Sequence, residues 1–115
     1  MPIWARVQLP MGEFIVVLTT CPDEATAARV ARDLVESGLA ACVNRQTVRS
    51  TYRWQDRLED EPEVLLVIKT LADRYADLEM HLKAIHPYEV PEVVALPVSA
   101  GSEAYLAWLR GQAGR

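Results

Sequence analysis

Strand, helix, strand, strand, helix, strand is the order laid out along these 115 residues. It predicts an α+β fold, a split βαβ sandwich with a four-stranded antiparallel sheet and both main helices on one face. Three observations carry the prediction. Two stretches place apolar residues at helical spacing, four others are apolar or alternate with period two, and turn or proline signals separate them.

The first strand is EFIVVLTT, Glu13 to Thr20, β-branched and apolar on both parities and so covered on both faces. Pro22, Asp23 and Glu24 open a helix, because proline suits a first turn and carboxylates suit its positive end. Ala27, Val30, Ala31, Leu34 and Val35 form its apolar stripe, and Gly38 stops it. A buried strand follows from Leu39 to Asn44. After an irregular step at Arg45 to Thr47 it resumes as VRSTYRW, with Val48, Ser50, Tyr52 and Trp54 facing one way. Gln55 to Glu63 holds five acids and one arginine and reads as a solvated turn, so VLLVIKT, residues 64 to 70, closes a hairpin. Leu71, Tyr75, Leu78, Leu82 and Ile85 mark a second helix, capped by Thr70 with Asp73 and ended by His86-Pro87. Pro87 and Pro91 bracket a stiff connector, and Glu92 to Val98 forms an edge strand. A short terminal helix carries Tyr105, Trp108 and Leu109 on one side.

Composition narrows the function. Half of the residues are apolar, 24% are charged, and the formal charge is −4, which fits one compact domain, residues 13 to 115, behind an N-terminal extension of residues 1 to 12. The chain lacks a Lys/Arg cluster, which argues against nucleic acid and anionic membrane surfaces as partners. Its two cysteines, Cys21 and Cys42, have no disulfide-framework or zinc-finger spacing, and the first residues do not read as a signal peptide, so a cytoplasmic setting is expected. No G-x-S-x-G, glycine-rich phosphate loop or H-E-x-x-H is present, and a non-enzymatic role is expected.

Phe14 to Leu18, Val64 to Ile68 and Val93 to Leu96 are apolar on both parities, so the face without helices is also hydrophobic and must be covered. The hairpin adds to this. Its strands can reach ~30–40 Å, against ~20 Å for a usual strand. A homo-oligomer joined by strand pairing and sheet-face packing is expected, of unspecified subunit number.

The runs TTCPDEATA (19 to 27), LAACVN (39 to 44), STYRW (50 to 54), EVLLVIKT (63 to 70), HPYEVPEVVALPV (86 to 98) and YLAWL (105 to 109) together resemble the divalent-cation tolerance family CutA. The resemblance covers residues 13 to 110. It implies a cytoplasmic homotrimer of ferredoxin-like subunits with an extended hairpin, assembled like the P-II signalling proteins and linked to copper tolerance and copper binding. Two positions depart from the family pattern. Arg45-Gln46-Thr47 stands where relatives carry a Pro-Gly step, and Asp56 stands where a glycine often occurs.

The resemblance points to Cys42 and His86 as metal donors, a thiolate and imidazole set suited to copper or another divalent ion. Cys42 alternatively reads as a small hydrophobe in a strand, and His86 as a helix-end residue. Cys21, between a strand and a helix start, joins them as the better reactive sulfur if exposed. The split βαβ plan puts Cys21 and His86 at one end of the sheet and Cys42 at the other, so a Cys42–His86 site needs two subunits. Tyr52, Trp54, Lys69, Tyr88, Glu92 and Trp108 could line a cleft between subunits for a small anion, or simply form the interface. The first reading is a metal-binding trimer. The alternative is a P-II-like sensor in which a small ligand alters contact with a partner protein. His81 is read as solvated surface, and Glu89 and Glu92 as capping or salt-bridging residues rather than paired catalytic acids.

Overall fold

The computed structural model describes residues 12–114, and the expected N-terminal extension through residue 11 lies outside them. Strand β1 (Phe14–Cys21) is followed by helix α1 (Glu24–Glu36), the hairpin strands β2 (Cys42–Trp54) and β3 (Arg57–Leu71), helix α2 (Tyr75–Ile85), strand β4 (Val94–Pro97) and helix α3 (Glu103–Gln112). The sheet order is β2-β3-β1-β4, with antiparallel neighbours throughout, which is the expected split βαβ arrangement.

Alternation along β1 assigns its two faces. Ile15, Val17 and Cys21 are fully buried against Val30, Leu34, Leu78 and Leu82 of α1 and α2, together with Leu66 and Ile68 of β3. Helix α1 starts where the Asp23 carboxylate accepts the Thr26 N–H at 2.7 Å. It ends at Gly38, whose φ of +78° is the left-handed conformation that a side chain opposes. Val35 departs from the predicted stripe and is 43% exposed. At eight residues from Ala27 it sits about 80° around the helix, on the edge of the buried arc.

The described residues cover the other sheet face only in part. Helix α3, capped by the Ser102 hydroxyl, lays Leu109 on Phe14, Ala41 and Ala113 at one end of it. Arg110 anchors the helix by donating to both carboxylate oxygens of Glu13. Beyond this helix Val16, Leu18, Leu65 and Val67 remain half-buried, while Val94 and Leu96 are 47% and 50% exposed.

Four sequence expectations are corrected. The step at Arg45 to Thr47 is regular ladder, paired with Leu66, Leu65 and Val64, because an edge strand tolerates polar residues on both faces. The acidic stretch Gln55 to Glu63 is not a turn: only Gln55 and Asp56 turn, and Arg57 onward is strand, held by cross-strand pairing rather than burial. Thr70 does not cap α2; its hydroxyl donates to the Leu39 carbonyl at 2.8 Å, and a 3₁₀ turn at Ala72–Arg74 leads into the helix. The last strand is shorter than Glu92 to Val98, since it pairs with β1 only through Val94–Pro97.

Candidate functional site

The C-terminal end of β1 gathers polar groups from distant parts of the chain. His86 follows the last turn of α2 and is 8% exposed. Its Nδ1 lies 3.1 Å from the Tyr88 backbone N–H and accepts from it, which leaves the proton on Nε2 to be donated to the Thr20 carbonyl at 2.8 Å. The Cys21 sulfur is 4.0 Å from the same Nε2. Burial, opposed by the bond to Thr20 and by Glu63, moves the His86 imidazole below its ordinary range. Burial first, then the Asp23 charge, pushes the Cys21 thiol up to about 11. Cys21 is therefore a buried thiol, and the condition attached to its reactivity, exposure, is not met.

Cys42 pairs with Lys69, five ladder rows from the Val64 row that holds Cys21. The sheet thus separates Cys42 from Cys21 and His86 within one chain. Among the described residues no three His, Cys, Asp or Glu side chains converge as metal ligands. A copper ion does not fit the donors of a single chain, because the His86 nitrogens already serve the backbone and Cys42 stands alone.

The six cleft candidates also divide. Tyr52, Trp54, Tyr88 and Glu92 line one cavity of about 690 Å³, where the hairpin arm leaves the body of the sheet and the connector 87–92 passes over it. Lys69 and Trp108 lie elsewhere: Lys69 Nζ stands 6.0 Å from the Tyr105 ring centroid, and Tyr105 and Trp108 are 5.6 Å apart. Without Lys69 the cavity has no lining cation among the described residues, and its carboxylates give it the same sign of charge as the small anion expected there, which they would repel.

Glu63 is the residue that sequence reasoning missed. It is 7% exposed, lines the cavity with Glu89, and accepts a hydrogen bond from the Tyr88 hydroxyl at 2.7 Å. Burial and then this bond hold the Tyr88 phenol far above its ordinary pKa. Its only sequence signal was parity: Glu63 shares a sheet face with Leu65 and Val67, visible only once β3 is known to begin before it. His81 is half-buried rather than freely solvated, with Nε2 3.1 Å from Asp33 of α1.

These features define a class: a small split βαβ sandwich with an acidic, aromatic cleft at the root of a long hairpin. Residues 15–112 match the family described as CutA1 divalent ion tolerance protein. The divalent-cation tolerance protein CutA of Thermus thermophilus is 47% identical over 100 residues, 86% of this chain and 97% of that protein. A CutA homolog of Xenopus laevis is 42% identical over 99 residues, 85% of this chain and 66% of its own length. A solved structure of the divalent cation tolerance protein of Thermus thermophilus has a TM-score of 0.84 at 46% identity, covering 88% of this chain and 99% of that one. The chain belongs to the CutA1 divalent ion tolerance family.

Proposed function

We propose that the chain is a non-enzymatic, cytoplasmic homotrimer of P-II-like assembly that binds a divalent metal ion, copper foremost, at donors contributed by more than one copy. The family supports the link to divalent cations. The observation that carries the assembly is the open sheet face, with Val94 and Leu96 about half exposed, continuous with a two-stranded arm. Seven residue pairs, from Val48 with Glu63 to Trp54 with Arg57, extend past the end of β1. At ~3.3 Å per residue this arm is ~23 Å long, and an isolated two-stranded ribbon is marginal in water. Further copies supply the missing layer.

Cys42, half-buried on the edge strand, is the sulfur such an assembly can present to a donor of a second copy. Sedimentation equilibrium is expected to return three times the 12.9 kDa chain mass. Calorimetry of the metal-free protein with Cu(I), Cu(II) and Zn(II) is expected to show copper binding that Cys42→Ser removes. Parent-like binding by both Cys42→Ser and His86→Ala would mean that neither residue is a ligand. The cleft favours a second reading, a P-II-like sensor in which a small ligand bound at the hairpin root changes contact with a partner protein.

A further inference from the structure

We infer that the hairpin-root cleft is a receptor site for a small organic cation, an alkyl- or quaternary ammonium compound. This deepens the sensor reading above and rests on it. Glu63 is a nearly buried carboxylate whose hydrogen bond comes from a neutral phenol, that of Tyr88. No Lys, Arg or His nitrogen forms an ion pair with it among the described residues. A buried charge without a counter-charge is unfavourable, and a positively charged guest removes the deficit.

The walls fit such a guest. Tyr52, Trp54 and Tyr88 place three aromatic rings around the cavity, and the faces of such rings attract cations while excluding water. Glu89 and Glu92 complete the lining and add negative charge at the connector. On the same face of the arm, Glu59 and Glu61 stand opposite Tyr52 and Ser50, and the one cation there, Arg57, is at the tip opposite Trp54. Partial desolvation, then the charges of Glu61, Glu63 and Glu59, raise the Tyr52 phenol, so this ring lies in a negative field. A volume of about 690 Å³ falls within the range of small-molecule sites, and is too large for a bare metal ion alone.

The test titrates the assembled protein with three probes of similar shape and different charge, at constant ionic strength. They are tetramethylammonium, neutral 3,3-dimethylbutanol and anionic pivalate, followed by tryptophan fluorescence and calorimetry. Tetramethylammonium is expected to bind saturably and at least tenfold more tightly than the other two. Glu63→Gln, which keeps an acceptor for Tyr88, is expected to lose about tenfold, and Trp54→Leu to lose the fluorescence response. The charge series on the unaltered chain decides the matter even if a variant fails to fold. Equal binding of all three probes, or preference for pivalate, overturns the cation inference and leaves the sensor reading in place. No binding of any probe overturns both. Binding that appears only on dilution to single chains shows that a second copy fills the cleft, and also overturns the inference.

Discussion

His86 has each ring nitrogen committed to the backbone, Nδ1 as acceptor from Tyr88 and Nε2 as donor to Thr20. Protonation at Nδ1 destroys the first bond. Because burial depresses the imidazole below its unfolded value of 6.5, the unfolded chain takes up this proton first as pH falls. The stabilisation is therefore complete above pH ~6.5 and is lost as pH drops through the lower folded value. Urea midpoints measured between pH 7.5 and 5 are expected to fall more steeply for the parent than for His86→Gln, and parallel slopes would remove His86 as the cause. The cysteines make a second contrast at this scale. Cys21 is buried with its thiol pushed up to about 11, whereas Cys42 is half-buried on the edge strand. Ellman's reagent is expected to find one reactive thiol per native chain, absent in Cys42→Ser, and a second only in denaturant. Two fast thiols would show that the end of β1 opens readily.

At the level of elements, the chain announces what it buries and conceals what it holds by pairing alone. Helix α1 was legible because Pro22, Asp23 and the apolar positions from Ala27 to Leu34 agree with one another. Leu34→Ala, which empties a fully buried position, is expected to cost about 3 kcal/mol in chemical denaturation, and Val35→Ala under about 0.5 kcal/mol. Similar costs would place Val35 in an interface that the single chain does not show. The outer half of β3, RLEDEPE, has no apolar periodicity, so its strand character was invisible until the ladder with β2 fixed it. The cleft was half legible for the same reason. Its aromatic residues stand out in sequence, but the bond between Glu63 and Tyr88 joins residues 25 positions apart through that unseen strand. The hairpin tip allows a direct test. Gln55 and Asp56 both adopt positive φ, 51° and 63°, which the tight two-residue hairpin turn requires and which side chains disfavour. Replacing them by Asn-Gly is expected to raise stability by about 1 kcal/mol, seen as a higher urea midpoint with unchanged slope. A lower midpoint would mean that the two side chains make contacts outside their own chain.

At the scale of the whole molecule, one helical layer is divided over a sheet with two apolar faces. Helices α1 and α2 seal one face, and α3 reaches only the Phe14 end of the other. Val16, Leu18, Leu65, Val67, Val94 and Leu96 then form a continuous apolar strip across β3, β1 and β4. Such a strip is covered by self-association in the reading proposed above, and association linked to folding makes heat stability depend on concentration. The melting temperature is expected to exceed the ~45–65 °C common for mesophilic domains and to rise with protein concentration. Leu96→Glu sets a charge in the middle of the strip, on a residue that is already half exposed in the single chain. If the strip is an interface, the substitution leaves the isolated fold intact while lowering the melting temperature and shifting the mass by light scattering toward 12.9 kDa. Met80→Glu, on a residue of α2 that is 68% exposed and on the helical side, is expected to leave both unchanged. A Leu96→Glu protein that keeps the parent's mass and melting curve would move the interface off this face, and with it any metal site shared across it.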